Sequence, residues 1–197
     1  MIQTSSATEL NRYPKLFQIV AKELEPVSNP RILSFGCSSG EEVFSIKEYI
    51  PGAELSGVDI NRRSISIAKK RDKAGAYRFF HFRDDAWKSE MGYDCILALA
   101  VFQKTDHWDS MRRESLDVFT FDKFQQMTGQ LDSMLKPGGL FVIDHADFSF
   151  LDLSISKKFT PSVYDRPIRR ARPLFSAQNT LSESSREFYR VFRKNSS

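Results

Sequence analysis

Alternating strand-like and helix-like segments predict a single α/β domain with a doubly wound, mostly parallel sheet. Between residues 31 and 144, short apolar runs typical of strands alternate with amphipathic segments typical of helices. A glycine-containing turn, residues 36–40, joins the first apolar run to the helix after it. An aromatic, strand-like segment at residues 187–192 lies beyond the region in which strands and helices alternate. We therefore expect a Rossmann-like sheet of seven strands that includes a late antiparallel strand.

Proline marks the start of an N-terminal helix. Pro14 suits the first position of a helix over residues 13–25. The apolar residues that share one face of this helix are Leu16, Phe17, Val20 and Leu24. We expect the helix to form an N-terminal segment, residues 1–27, ahead of a domain that covers residues 28–197.

Turn signals separate the strands and helices of that domain. Asn29-Pro30, Pro51-Gly52 and the run Lys136-Pro137-Gly138-Gly139 are typical chain breakers. The strands that we expect between them cover residues 31–35, 54–59, 77–82, 93–99 and 140–144. The helices that we expect between these strands cover residues 40–50, 61–73 and 119–135.

The region from residue 148 to residue 185 has little clean periodicity, and we expect it to form a substrate lid. Residues 104–118 are expected to cover the same pocket. Aromatic residues in and beside these segments favour a partly apolar acceptor: Trp108, Phe119, Phe148, Phe150, Phe159, Tyr164 and Phe175. The late strand at residues 187–192 is expected beside the strand at residues 140–144.

Composition narrows the class of protein. The 197 residues are 41% hydrophobic and 27% charged, which is ordinary for a globular domain. The sequence contains no apolar run of 18 residues and no apolar secretion segment near Met1, so we expect a cytoplasmic protein that does not contact membranes. Cys37 and Cys95 are the only cysteines, and a disulfide framework is not expected.

Charge is concentrated at the C-terminal end of the sequence. Residues 151–197 contain 10 Lys/Arg and 4 Asp/Glu, although the whole chain has a net charge of only +4. The closely spaced arginines are Arg166, Arg169, Arg170 and Arg172. Such a patch can attract phosphate or acidic protein surfaces. Nucleic acid is therefore a possible partner, although motif evidence favours a small molecule or a protein as the substrate.

The glycine turn and a later acid predict a nucleoside-cofactor site. Gly36 can adopt a positive φ and lets backbone approach a ligand closely. The helix that opens near Gly40 directs free N–H groups toward the same point. Asp59 ends the second apolar strand, 19 residues after Gly40. A carboxylate in that place can accept hydrogen bonds from both hydroxyls of a ribose.

Four ordered motifs resemble those of class I S-adenosylmethionine-dependent methyltransferases. They are residues 36–40, Val58-Asp59-Ile60, Asp84-Asp85-Ala86-Trp87 and Leu135-Lys136-Pro137-Gly138-Gly139-Leu140. The resemblance covers roughly residues 28–147 and implies S-adenosylmethionine as the cofactor. It implies that Asp85 and Ala86 meet the adenine and that Leu99 or Phe102 packs on it. The other residues that it implies at the cofactor are Phe35, Gly36, Cys37, Ser38, Gly40, Asp59 and Ile60.

The glycine loop also resembles that of chemotaxis-receptor methyltransferases, which esterify glutamates. Most class I methyltransferases have an acid two residues before the first glycine, where this chain has Ser34. The resemblance implies that Glu42, or else Glu41, approaches the methionine part of the cofactor in place of that acid. The chain lacks the Arg-Asn pair of that family, because Leu99 and Ala100 occupy those positions.

Missing motifs constrain the alternatives. A nicotinamide dehydrogenase would have a Gly-x-Gly-x-x-Gly loop, but position 38 is serine. Enzymes that methylate nucleobase amino groups often have Asn/Asp-Pro-Pro-Tyr after strand 4, where residues 98–102 read Ala-Leu-Ala-Val-Phe. We therefore expect a methyltransferase that acts on a small molecule or an acidic protein side chain. A catalytically inactive cofactor-binding module and an RNA methyltransferase remain the alternatives.

No catalytic residue is marked by a motif. His145 and His107 follow strands 5 and 4, where either imidazole could act as a base near the cofactor. Methyl transfer from a sulfonium can also proceed by alignment and exclusion of water alone. His81 lies inside a predicted strand and is expected to be structural. No metal site is expected, because the spacing of Asp144, His145 and Asp147 is weak evidence for one.

Overall fold

A computed structural model describes residues 9–103, 119–169, 174–182 and 187–196. Its helices are α1 (Pro14–Leu24), α2 (Glu41–Tyr49), α3 (Arg62–Arg71) and α4 (Phe121–Met134). The strands of its main sheet are β1 (Arg31–Phe35), β2 (Glu54–Asp59), β3 (Arg78–His81), β4 (Tyr93–Leu99), β5 (Leu135–Asp144), β6 (Phe159–Pro161) and β11 (Val191–Lys194). Four two-residue strands lie outside it: β7 (Ile168–Arg169), β8 (Leu174–Phe175), β9 (Leu181–Ser182) and β10 (Glu187–Phe188).

The main sheet has seven strands in the order β3-β2-β1-β4-β5-β11-β6. Strands β1 to β5 pair in parallel. Strand β11 is antiparallel to both β5 and β6, and it pairs Val191 with Val142. The predicted fold class is thereby confirmed, including the late antiparallel strand beside β5.

Local chemistry explains where the helices begin. Pro14 stands at the first position of α1, where no N–H partner is needed. The Asn61 side chain caps α3 by accepting the N–H groups of Arg63 and Ser64. Helix α2 follows Gly40, which is left-handed with φ 90°. Because only glycine adopts this conformation without strain, the turn from β1 into α2 depends on it.

The sheet separates two apolar cores. One core contains the buried faces of α1, α2 and α3, including Phe17, Val43 and Ala68. The other contains α4 and a dense aromatic cluster: Phe35, Trp87, Phe102, Phe119, Phe124, Phe141, Phe148, Phe150 and Phe192. Because α1 contributes to the first core, it packs as part of the domain. The predicted boundary after residue 27 stays a prediction.

Several predicted element bounds were wrong near the C-terminal end. Strand β5 begins directly after α4, at Leu135, because Leu135 already pairs with Tyr93. The strand predicted at residues 187–192 is divided in two, since β10 pairs with β7 and only β11 enters the main sheet. The segment predicted as a lid contains β6, which forms an edge of the main sheet, and its role as a lid stays a prediction.

A buried ion pair holds β11 in place. The Asp165 side chain is fully buried and accepts from the Arg190 guanidinium at 2.7 Å. The same carboxylate accepts the backbone N–H of Val191 at 3.1 Å and that of Arg190. On the other side of the strand, Arg193 pairs with Glu23 of α1. These contacts join the C-terminal segment to both the sheet and the N-terminal helix.

Candidate active site

The sheet order reverses between β1 and β4, which opens a crevice at the carboxyl ends of these strands. To one side the order runs β1, β2, β3, and to the other β4, β5. Ligands of open α/β sheets bind in such a crevice. The residues that follow β1, β2, β4 and β5 therefore form the candidate site.

The glycine loop is held tightly over the end of β2. The N–H groups of Gly36 and Cys37 both donate to the Val58 carbonyl, at 2.7 and 3.1 Å. Gly36 has φ 87°, and a Cβ atom built there would lie 2.3 Å from Val101 Cγ2. The close approach that requires glycine at position 36 is thus already made by the protein's own side chain.

Asp59 connects the glycine loop to the turn after β2. Its Oδ2 accepts the Ser38 N–H at 2.9 Å, and its Oδ1 accepts the Asn61 N–H at 2.8 Å. The residue is only 7% exposed. A carboxylate oxygen can accept more than one hydrogen bond, so both oxygens keep capacity for ligand hydroxyls. This geometry fits a ribose and also gives Asp59 a structural role that the sequence did not reveal.

Glu42 reaches from α2 to the position of the missing acid in β1. The Ser34 hydroxyl, two residues before Gly36, donates to Glu42 Oε1 at 2.7 Å. Burial is the main cause that raises the pKa of Glu42 from 4.5 to about 7, whereas the Ser34 hydrogen bond and the Arg12 charge lower it. An acid from α2 therefore stands beside Ser34, the position at which the resemblance to class I methyltransferases implies an acid in the strand itself.

Cys37 contributes only its backbone to the crevice. Its side chain is buried, and a Cβ at Gly57 would lie 2.7 Å from the Cys37 sulfur. Burial, followed by the negative charges of Asp59 and Glu42, raises the pKa of the thiol well above its usual value. A thiol in these surroundings stays protonated and is a poor nucleophile.

His81 connects the end of β3 to the turn after β2. Its Nε2 lies 2.9 Å from the Ile60 carbonyl oxygen, and its Nδ1 accepts the Arg83 N–H at 3.3 Å. This pattern assigns the proton to Nε2 and links the end of β3 to the turn after β2. The expected structural role of His81 is consistent with these contacts.

The residues implied at the adenine have mixed surroundings. Ala86 and Asp85 are exposed, and the Asp85 carboxylate pairs with Lys88 at 2.9 Å. Leu99 and Phe102 are buried in opposite cores. Phe102 stacks on Phe35 with ring centroids 6.0 Å apart, so both rings belong to the aromatic core. Their roles at the adenine stay predictions.

His145 stands at the carboxyl end of β5 with its ring beside an acid. Its Nδ1 lies 3.2 Å from Asp144 Oδ2, and its backbone is left-handed with φ 54°. The Asp144 carbonyl accepts the Ala100 N–H, which places this turn next to the end of β4. The other candidate base, His107, lies outside the described residues.

The remaining expectations concern the C-terminal arginines, a metal site and a membrane span. Arg166 is exposed, and Arg169 lies in β7, whereas Arg170 and Arg172 are outside the described residues. Within the described ranges, no group of three or more His, Cys, Asp or Glu residues is placed to hold a metal ion. In the same ranges, no helix has the length and apolar character needed to cross a membrane. Cytoplasmic location stays a prediction.

Sequence reasoning missed three parts of this site. They are the Asp144 carboxylate beside His145, the Ser34 partner of Glu42, and the segment before α1, where the Tyr13 ring packs edge-on against His145 at 5.9 Å. Tyr13 and His145 are far apart in the sequence, Ser34 and Glu42 are 8 residues apart, and Asp144 and His145 are adjacent. Only that pair had a local signal, because an acid preceding a histidine at a strand end was visible in the sequence.

A comparison with the solved structure of TehB shows the same fold. TehB from Haemophilus influenzae matches 90% of this chain and 61% of its own, with a TM-score of 0.56 and 12% identity. The plantazolicin methyltransferase BpumL, solved in complex with SAH, matches 68% of this chain and 47% of its own, with a TM-score of 0.48 and 17% identity. The chain therefore spans about half to three fifths of the length of these proteins.

The family comparison is more extensive than any single structural likeness. No curated protein is similar enough in sequence to count as a match. The family model described as "Methyltransferase domain" matches residues 9–191, which is most of the chain and includes α1, the crevice and the start of β11. The match does not extend to the narrower likeness to chemotaxis-receptor enzymes. The chain belongs to the methyltransferase domain family, the enzyme class that its four ordered motifs predicted.

Proposed function

We propose that this domain transfers a methyl group from S-adenosylmethionine to a proton-bearing oxygen or nitrogen of a small molecule. The observation that carries the proposal is the Asp144–His145 pair, which lies at the end of β5 next to the crevice between β1 and β4. A cofactor crevice beside an acid-oriented imidazole has the parts that methyl transfer to a weakly acidic acceptor needs.

The residues of the crevice fit the cofactor. Asp59 presents two carboxylate oxygens at the end of β2, each with capacity beyond its one backbone partner. Glu42 supplies a carboxylate for an ammonium group near the glycine loop. The positive φ of Gly36 and Gly40 keeps the loop close to this space. When bound, S-adenosylmethionine supplies an electrophilic methyl group on a sulfonium.

His145 gives the acceptor its nucleophilic form. The Asp144 carboxylate lies 3.2 Å from Nδ1, and Nε2 is the nitrogen that would take the acceptor's proton. The acceptor atom would bond to the methyl group that the cofactor supplies, and the sulfur would leave as a neutral thioether. A carboxylate acceptor is already ionised and needs no such base. The pair therefore favours a hydroxyl or N–H acceptor over an acidic protein side chain.

A small cleft beside His145 marks the proposed position of the acceptor's reacting group. Its cavity volume is about 30 Å³, and it extends from the end of β5 to the segment before β11. Leu151, Phe188 and Tyr189 supply part of its wall. Since most of this wall is apolar or aromatic, we propose an acceptor with a flat apolar body and one polar reacting group.

A transfer assay tests the proposal. S-adenosylmethionine with a labelled methyl group is incubated with paired acceptors that differ only in the reacting group, such as a phenol and the matching benzoate. We expect label in the phenol series, and we expect His145→Gln to reduce kcat by about 10²- to 10⁴-fold. The affinity of the same variant for S-adenosylhomocysteine should be unchanged, which is the internal control.

Three results would contradict the proposal. Transfer to carboxylates alone would remove the need for a base. An unchanged kcat in a folded His145→Gln variant would assign proton removal elsewhere. Cofactor binding with no transfer to any acceptor would instead favour the inactive binding module.

A further inference from the structure

We infer that Arg12 binds the α-carboxylate of the cofactor's methionine portion, and that Arg12 and Glu42 together hold the two charges of that portion. The inference rests on the proposed function, because it assigns a further residue to the same cofactor site. The methionine portion of S-adenosylmethionine carries an ammonium and a carboxylate on one carbon. A protein that recognises both must place an acid and a base close together at the end of the crevice.

The segment before α1 is fixed to α2 next to Glu42. The Asn11 N–H donates to Ser45 Oγ at 2.8 Å, and Tyr49 Oη donates to Asn11 Oδ1 at 2.8 Å. Ser45 lies three residues after Glu42, so the two residues share one face of the helix. Asn11 is thereby held within one helical turn of the Glu42 position.

On its other side, the segment is fixed to the turn after β5. The Tyr13 ring contacts the His145 ring edge-on at 5.9 Å. The Tyr13 carbonyl also accepts the Phe17 N–H at 3.0 Å, which starts α1. Residues 11–13 thus span from α2 to β5, across the crevice between β1 and β4. Arg12 is the middle residue of this span.

Arg12 carries the positive charge that binding a carboxylate requires. Its side chain is exposed, and within the described ranges no carboxylate lies within ion-pair distance of it. Its guanidinium lies over the Tyr13 ring, 5.4 Å from the ring centre. Its charge acts on the Glu42 carboxyl, whose pKa it lowers against the larger effect of burial. A planar guanidinium binds a carboxylate through two parallel hydrogen bonds.

The arrangement connects cofactor binding to the catalytic turn. A carboxylate bound by Arg12 would hold residues 11–13 down, and Tyr13 in this segment packs on His145. The base would then be supported most firmly when the cofactor is present. If Arg12 contacted only solvent, cofactor binding would not support His145 in this way.

Three ligands that differ in these two charges distinguish the contribution of each charge to binding. S-adenosylhomocysteine has both charges, decarboxylated S-adenosylhomocysteine keeps only the ammonium, and methylthioadenosine has neither. Calorimetry with each ligand is carried out on the wild type, Arg12→Gln, Arg12→Lys and Glu42→Gln. Lys15→Gln is the matched control, because Lys15 is an exposed base three residues further along the chain.

We expect Arg12→Gln to weaken S-adenosylhomocysteine binding about tenfold and to leave the other two ligands unchanged. Glu42→Gln should weaken the two ammonium-bearing ligands and spare methylthioadenosine. Arg12→Lys should retain part of the affinity, and Lys15→Gln should bind all three ligands as the wild type does.

The inference is overturned if Arg12→Gln weakens all three ligands equally, since its role would then be structural, or if it leaves S-adenosylhomocysteine affinity unchanged. A wild-type protein that binds none of the three ligands would overturn the proposed function itself. Thermal unfolding of each variant shows whether a loss of affinity comes from loss of folding.

Discussion

The two halves of the crevice are built in different ways. On the side of β1 and β2, hydrogen bonds within one βαβ unit fix the loops: Gly36 and Cys37 donate to Val58, and Asp59 accepts from Ser38. On the side of β4 and β5, the site depends on segments from several parts of the chain. The cofactor half is therefore built mainly within one βαβ unit, and the acceptor half is a product of tertiary packing.

This difference predicts where changes to the protein should be felt. A substitution in the acceptor half should lower the free energy of unfolding more than it lowers cofactor affinity. A substitution in the cofactor half should affect ligand affinity directly. Loops that vary on a common scaffold usually determine the substrate, and the scaffold keeps the cofactor site.

The largest expected effect is on stability and comes from Asp165. This buried carboxylate accepts from the Arg190 guanidinium and from the N–H of Val191. Asp165→Ala leaves the arginine and the N–H groups without their acceptor, so we expect a loss of about 3–5 kcal/mol in the free energy of unfolding. Urea denaturation followed by circular dichroism measures the loss.

Asp85→Ala is the control for that experiment, because Asp85 is 89% exposed and has only a surface pair with Lys88. It should change stability little. An Asp165→Ala protein as stable as the wild type would show that the acceptor half is not held by this pair.

A smaller effect, on affinity, is expected from Asp59. Asp59→Ala removes the acceptor for two ribose hydroxyls, and we expect S-adenosylhomocysteine to bind about 2–3 kcal/mol more weakly. The variant should also lose some stability, because Asp59 accepts the N–H groups of Ser38 and Asn61. Calorimetry and thermal unfolding separate the two losses.

Asp72 provides a matched control, since its carboxylate also accepts two backbone N–H groups, those of Ala76 and Tyr77, both at 2.9 Å. Asp72→Ala should lower stability to a similar degree and leave ligand affinity unchanged. Unchanged affinity in a folded Asp59→Ala protein would place the ribose elsewhere.

The smallest effect is a dependence on pH from Glu42. The pKa of this acid is raised from 4.5 to about 7, so the folded protein holds its proton more tightly than the unfolded chain does. Its contribution to stability is therefore fully present below pH 4.5 and is lost as pH rises toward 7 and above. We expect Glu42→Gln to remove a decrease of about 2 kcal/mol between these limits.

Ligand affinity should have the opposite dependence on pH. An ammonium group binds the ionised form of Glu42, so S-adenosylhomocysteine should bind more tightly as pH rises through 7 in the wild type. In Glu42→Gln this rise should disappear. A rise of equal size in both proteins would assign the pH dependence to another group.

The same comparison explains what the sequence could predict. The bounds of β1, β2 and β4 were predicted correctly, because each is an apolar run between strong turn signals. The glycine loop and Asp59 were recognisable because their spacing along one βαβ unit is local. Apart from β4, these features belong to the cofactor half.

The acceptor half was less predictable for a physical reason. Strand β6 has three residues, too few to show a period, and it exists because β11 pairs with it from much further along the chain, with Phe192 opposite Pro161. Asn11 and Tyr13 carry no local sign that they would meet Ser45 and His145. Contacts between residues that are far apart in the chain leave no local pattern in a single sequence.

Binding of S-adenosylhomocysteine to the wild-type protein, measured by calorimetry, tests the central claim most directly. The account predicts a dissociation constant in the low micromolar range, roughly −8 kcal/mol. It also predicts that the affinity is reduced in Asp59→Ala and retained in Asp72→Ala. The absence of both heat and a thermal shift at about 1 mM ligand, well above the predicted dissociation constant, would contradict it.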